Sequence, residues 1–376
     1  MKRFLIVLLV SLSFCTTAFA QDSVNTDTYN EYLKNYDFSF FKDTLGDDAY
    51  SILRELGVDK FDLENITSVS MNDVANVLKE LVAGSVKSPL EGALTILIFI
   101  VLSSFFQSMK VSDGSSLDGV YSTSTALIIA VVLMIKMSTA VAMSASAIKI
   151  ASDFIYAFVP VFCAIVAVSG GITTAFSTNT TVLLLSQGLS FLSSNLFVPL
   201  INCFMAIGIC SSLNTKLNLS KLVSSLKRMI TSAVSFCAAA FVSVLSIKTA
   251  VSARADILGI RSLRFVINNI VPVIGGTISE GLLSIQSYSS LIKSSVGVVG
   301  IIGVALVFLP SIVQIVVWRL VLSLCAVISD IFEDRAVSGV LQAFRESMLL
   351  MNVVLILSMV TTIISIGILI AARTAA

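Results

Sequence analysis

Apolar and polar positions fall into three successive patterns along this chain. Lys2 and Arg3 precede an apolar stretch from Phe4 to Phe14, and Ala18-Phe19-Ala20 then supplies small residues around a cleavage point before Gln21. That order of charge, apolar run and small residues predicts a signal peptide over residues 1–20. Left uncleaved, the same segment would serve as an anchor. Either form places residues 21–88 on the extracytoplasmic side.

The second pattern, residues 21–88, predicts a small helical domain. Ser70 and Asp73 resemble a capping box. Val74, Val77, Leu78, Leu81 and Val82 follow at i, i+3, i+4, i+7 and i+8, one apolar face of a helix that Pro89 is expected to end. Upstream, Tyr29, Tyr32, Leu33, Tyr36, Phe38, Phe40 and Phe41 make an aromatic-rich stretch. Packing on that helix face, lying against lipid headgroups and binding a partner are three uses it could have. A piece this small buries little core by itself, so docking onto something larger is expected.

The third pattern begins at Leu90. A bilayer crossing needs about 20 mostly apolar residues. Runs of that kind occur at Leu90–Met109, Tyr121–Met143, Phe154–Phe176, Thr181–Leu213, Met229–Ile247, Val296–Trp318 and Met348–Ala372. Thr181–Leu213 is overlong and contains Pro199, which predicts a kinked helix or two pieces. Trp318-Arg319 reads as an interfacial end, leaving Leu320–Ile331 buried or in the interface. The predicted fold is an all-α, polytopic membrane bundle of six or seven spans over residues 89–376, some broken or re-entrant. The basic groups Lys216, Lys221, Lys227, Arg228 and Lys248, Arg254, Arg261, Arg264 flank Met229–Ile247 on both sides. Counting cations therefore gives no orientation there.

Composition sharpens this picture. Of 376 residues, 56% are hydrophobic and 12% charged, and the mean hydropathy is +0.97. A soluble domain has about 25% charged residues, so a soluble multidomain enzyme is excluded. The overall charge of +1 conceals an asymmetry. Residues 21–89 hold 13 acidic against 6 basic side chains, and residues 90–376 hold 10 against 16. No basic block points to nucleic acid. The chain has no histidine, which removes imidazole base catalysis and histidine-ligated metals. Cys163, Cys203, Cys210, Cys237 and Cys325 lie in apolar stretches without a CxxC pair, as small packing residues do. No cofactor is expected.

Few polar groups interrupt the apolar runs. Lys136 lies within Tyr121–Met143, where a charge marks a function by default, unless it snorkels or ends a shifted span. Gln187, Asn195, Asn202 and Gln314 could line a pore, although hydrogen bonds between helices are the commoner use. Phe158-Val159-Pro160, Phe197-Val198-Pro199 and Phe308-Leu309-Pro310 repeat a triad that residue abundance alone can produce. The segment 250–290 stands apart. On a helical wheel Val251, Ala255, Leu258, Leu263 and Val266 share one side and Arg254, Arg261 and Arg264 the other, with Ile257 spoiling the polar face. Such a helix lies in the headgroup plane. Asn268-Asn269-Ile270-Val271-Pro272-Val273-Ile274-Gly275-Gly276 then argues for a re-entrant or broken helix enclosed by protein or water. Arg254, Arg261, Arg264, Asn269, Pro272, Gly275 and Gly276 are the candidate functional segment.

The run Ile260-Arg261-Ser262-Leu263-Arg264-Phe265, then Asn269-Ile270-Val271-Pro272-Val273-Ile274-Gly275-Gly276 and Ser279-Glu280, resembles the most recognisable stretch of the stage III sporulation protein AE family. The layout of leader, short acidic ectodomain and polytopic region is similar along nearly the whole chain. The resemblance implies a role in endospore formation, beside seven other stage III sporulation proteins and a forespore-made partner. Together these would form a channel or secretion-like apparatus between mother cell and forespore. It implies a place in the mother-cell-derived membrane around the forespore, with the N-terminal domain in the intermembrane space. It brings no catalytic residues.

Three functions compete on these grounds. A non-enzymatic subunit of that complex leads. An independent secondary transporter is favoured by Pro-broken helices and Lys136. An intramembrane enzyme is disfavoured by the missing histidine and by the lack of paired carboxylates in apolar runs. No GxxxxGK[ST] motif is present, so energy input would come from a partner.

Overall fold

The computed structural model describes residues 26–59, 71–108, 117–168, 172–213, 219–270, 275–332 and 334–371. Residues 252–270 and 275–286 are described by their helical backbone. The leader, Ser70 and Pro272 lie outside the described residues. Among these residues there is no strand. Three short helices, α1 (Thr26–Leu33), α2 (Phe40–Leu45) and α3 (Asp47–Glu55), precede α4 (Met71–Ser108), α5 (Leu117–Val168) and α6 (Ile172–Leu192). A π-helical turn, Ser193–Phe197, joins α6 to α7 (Val198–Leu213). Then come α8 (Ser220–Ile270), α9 (Gly275–Ile331) and α10 (Arg335–Ala371).

Among the described residues, six helices are long and apolar enough to cross a membrane. Two readings of the sequence change at this point. Of Tyr121–Met143 and Phe154–Phe176, expected as separate crossings, the first and most of the second, up to Val168, belong to one continuous α5 of 52 residues, and Phe176 lies in α6. Pro89, expected to end a helix, sits inside α4. Its missing N–H costs one backbone hydrogen bond, and the packed faces on both sides of it hold the helix together. The overlong Thr181–Leu213 run stays helical, with its irregularity confined to the π turn just ahead of Pro199.

An antiparallel pair, α9 and α10, forms the centre. Neither helix exposes a large apolar side chain between Ile292 and Trp318 or between Val337 and Ile370. A helix that is apolar all round must be wrapped by others. α4 and α5 cover one side, and α6, α7 and α8 the other. Close approach is made by glycine. A Cβ at Gly297 would lie 2.3 Å from Ile370 Cγ1, and one at Gly300 would lie 2.9 Å from Phe158 Cε2. The Trp318-Arg319 expectation is reversed. Trp318 is fully buried, while Leu320, Leu324, Val327 and Ile331 beyond it are exposed. Gly92 of α4 leaves the space that the indole fills.

The helices alternate in direction, so their ends gather at two poles. At one, Ser103 of α4 and Ser122 of α5 both reach Asp334, between α9 and α10. Gly339 of α10 faces Ser212 of α7 there. Toward the other pole, Gly297 of α9 lies against Phe162 and Ile370.

The aromatic stretch packs on the bundle itself. Phe41 meets Phe154 edge-on at 5.2 Å between ring centroids, and Tyr32 stacks on Tyr288 at 5.4 Å. Leu45 and Leu53 fill the notch at Gly303. Tyr36 hydrogen-bonds with Ser289, while burial pushes its phenol above the usual range. Gly57, at φ 70°, takes the left-handed conformation that ends α3, and Val58 N–H reaches back to the Leu53 carbonyl. Tyr29, Phe41, Leu45, Leu53 and Val58 thereby join the same hydrophobic core as α5, α9 and α10. The three Phe-x-Pro triads share a packing role, for Phe158, Phe197 and Phe308 are all buried.

Candidate functional site

Hydroxyl side chains enter an apolar helix at little cost when they bond to a carbonyl one turn back. α10 uses this repeatedly. Thr361 Oγ1 donates to Leu357 O at 2.8 Å, Thr362 Oγ1 to Ser358 O at 2.7 Å, and Ser365 Oγ to Thr361 O at 2.8 Å. Ser358, Thr361 and Thr362 face Ser152 of α5 and Ser186 and Ser190 of α6 across a narrow cleft with about 20 Å³ of room. Gln187 closes one side, donating Nε2–H to the Ser152 carbonyl at 3.3 Å and accepting from Ser152 Oγ at 3.1 Å. Ser186 Oγ is buried without a hydrogen-bond partner among the described residues. The cleft offers hydroxyl donors and acceptors and no charged group, so it suits a water and not proton abstraction.

A second polar cluster lies at the pole of the bundle. Asp334 is 3% exposed and stands at the N-cap of α10. Its Oδ1 accepts Val337 N–H at 3.3 Å and Ser122 Oγ–H at 2.6 Å, and Oδ2 accepts Ser103 Oγ–H at 2.7 Å. Its carbonyl takes the first helical N–H, from Ser338, at 3.0 Å. One carboxylate therefore caps α10 and ties α4 and α5 to the α9–α10 turn. Three turns further along α10, Glu346 pairs with Lys227 of α8 and with Arg345 at 3.1 Å. Among the described residues no group of three or more His, Cys, Asp or Glu could hold a metal ion.

The predicted residues are distributed as follows. Lys136 is exposed on α5, beside Met134 and Ile135, outside the cleft. Arg254, Arg261, Arg264 and Asn269 belong to the backbone of α8, which continues helically to Ile270. Gly275 and Gly276 open α9. Of the polar amides, Gln187 joins two helices, Gln314 is buried, and Asn195 and Asn202 are exposed. Asp334 was missed by sequence reasoning, although an Asp just before an apolar helix is an N-cap signal. Lys149 and Asp153, exposed on α5, were also missed because they fall between two runs read as separate spans.

Comparison with known proteins fits these features. Residues 58–373 match the family model described as stage III sporulation protein AE. Stage III sporulation protein AE of Bacillus subtilis (strain 168) is 28% identical over 155 residues, which is 41% of this chain and 39% of that relative. The match thus spans about two fifths of the relative's length. No solved structure matches the chain. A family match across most of the chain, over a bundle of six membrane-length helices, leads to one assignment: the chain belongs to the stage III sporulation protein AE family.

Proposed function

We propose that this chain is a non-enzymatic membrane subunit of a channel or secretion-like complex between mother cell and forespore, required for endospore formation. The family match over residues 58–373 carries the reading. The architecture supports a subunit role. The α9–α10 centre is filled by side chains, and the hydroxyl-lined cleft has only about 20 Å³ of room, enough for a single water. A wide passage would then be enclosed between this chain and its partners, the other stage III sporulation proteins and a forespore-made component. In this reading the chain lies in the mother-cell-derived membrane with α1–α3 in the intermembrane space. Hydroxyl groups gathered between α5, α6 and α10 favour the alternative, a self-sufficient transporter of a small polar solute.

Deletion separates the two. The complex reading expects a block in spore development with normal vegetative growth, and recovery of partner proteins with the tagged chain from sporulating membranes. An equal defect in vegetative solute uptake, with the chain purified alone, would favour the transporter.

Within this reading, 250–290 is the contact segment of the membrane region. Each cation near a membrane or acidic surface contributes about 1 kcal/mol. Arg261→Glu with Arg264→Glu should abolish partner recovery while the protein stays at normal level in the membrane. Lys216→Glu with Lys221→Glu should be milder. Equal responses from both pairs would remove the special role of the segment.

A further inference from the structure

Three helices turn from charged to uncharged sequence at one level of the bundle. α8 carries no charge from Met229 to Ile247, α9 none from Ser294 to Trp318, and α10 none from Ser347 to Ala372. Arg228, Arg319 and Glu346 stand at the ends of these stretches nearer Asp334. The Lys227–Glu346 pair ties α8 to α10 at that point. Register does the same for α9. Gly297 lies against Ile370 and Gly300 against Ile366, so numbers rise on one helix as they fall on the other. Counted on from there, Arg319 comes opposite Ser347 and Met348, within one turn of Arg345 and Glu346.

Lys227, Arg228, Arg319 and Arg345 therefore share one carboxylate, Glu346, where α8, α9 and α10 pack together. Glu346 spends one oxygen on Lys227 Nζ and the other on Arg345 Nη2. Among the described residues neither Arg228 nor Arg319 has a carboxylate partner. Arg319 Nε is moreover buried without a hydrogen-bond partner among them. The seam is open from outside. Arg228 is exposed, and the side chains of Lys227 and Arg345 keep 40% and 36% of their surface. Next to it on α8, Met229 and Phe236 are exposed apolar side chains. Leu320 and Leu324 lie about 100° or more round α9 from Arg319, so its exposed apolar face is separate from the seam. Excess cations beside an apolar surface call for an anion, because a charge there is costly without one.

We propose that this seam binds the phosphate headgroup of an anionic phospholipid. Basic pockets between membrane helices hold such headgroups, and guanidinium groups match the geometry of phosphate oxygens. Glu346 holds Lys227 and Arg345 side by side and leaves their remaining N–H groups free to donate. Arg228 and Arg319 supply the charge that Glu346 does not balance. The acyl chains follow α8 past Met229 and Phe236. Arg228 to Lys248 spans about 30 Å of helix, the thickness of a hydrocarbon core. A free phosphate would meet the same cations without using that apolar wall, and an acidic peptide would leave the wall uncovered. The seam lies far along α8 from 250–290, and its ligand stands or falls separately from the sporulation role.

Lipid titration of the detergent-solubilised full-length protein, read by native mass spectrometry, tests it. Phosphatidylglycerol should bind at least about ten-fold tighter than phosphatidylcholine with the same acyl chains. Arg319→Gln with Arg345→Gln should remove that preference, since each cation near an anionic group contributes a factor of about five. Lys136→Gln with Lys248→Gln makes the same charge change at exposed positions elsewhere and should leave the preference nearly intact. The unfolding midpoint shows whether each variant is folded. Competition on the wild-type protein needs no variant. Neither inorganic phosphate nor a polyglutamate peptide, at a concentration equal to that of the lipid, should displace phosphatidylglycerol. Equal binding of the two lipids, or equal loss in both double variants, would overturn the proposal. Displacement by inorganic phosphate would reduce the seam to a simple anion site, and displacement by polyglutamate would assign it to an acidic protein partner; either result rejects the lipid.

Discussion

Asp334→Ala will cost the folded protein about 3 kcal/mol, the largest loss expected from any single polar side chain here. A lost N-cap contributes about 1 kcal/mol, and hydrogen bonds to a charged acceptor contribute about 1.5–3 kcal/mol. Both vanish together, because one carboxylate serves Val337 N–H, Ser122 and Ser103. Asp334→Asn keeps the cap and one acceptor oxygen, so about half the loss is expected. Ser103→Ala and Ser122→Ala should cost about 1.5 kcal/mol each, the low end for a hydrogen bond to a charged acceptor, and neither should add its full effect to Asp334→Ala. Thermal unfolding of the detergent-solubilised protein measures all of these. Full additivity would show that the three side chains do not act through one another.

Gly92→Ala should destabilise by about 1–3 kcal/mol, the range for overpacking a filled core. The added Cβ would lie 2.2 Å from Trp318 Cη2 and 2.9 Å from Cζ3. The indole is fully buried and rigid, so it cannot yield as the end of a flexible chain would. Trp318→Phe removes the clashing atoms. It forfeits no hydrogen bond, since Nε1 has no partner among the described residues. By itself Trp318→Phe leaves a cavity and lowers stability, but it should recover part of the loss when combined with Gly92→Ala. Membrane accumulation and the unfolding midpoint of the four proteins give the coupling. If the double variant is no better than the sum of the singles, Gly92 and Trp318 are not in contact as described.

Helix content and the membrane character of residues 90–372 follow from long apolar runs with 12% charge overall, and no tertiary information is needed for them. The family is carried by a local stretch around Arg261–Gly276 and by the layout, both linear properties. The tertiary structure decided what each apolar run faces. Val296–Trp318, among the most hydrophobic segments, is wrapped by protein, whereas the shorter Leu320–Ile331 carries the exposed apolar side chains. Hydropathy measures transfer out of water and cannot tell a lipid tail from a buried leucine. Likewise Lys136 reads as a buried charge in a linear window, yet it sits on the outside of α5, where the exposed face changes from apolar to polar. The hydroxyl cleft and the Asp334 junction were illegible for another reason. Each joins residues far apart in the chain, Ser103 to Asp334 and Ser152 to Thr361, and serines are too common for any one of them to stand out. Periodicity records which side of a helix is apolar. Only packing shows which neighbour meets it, because that depends on where the other helices cross.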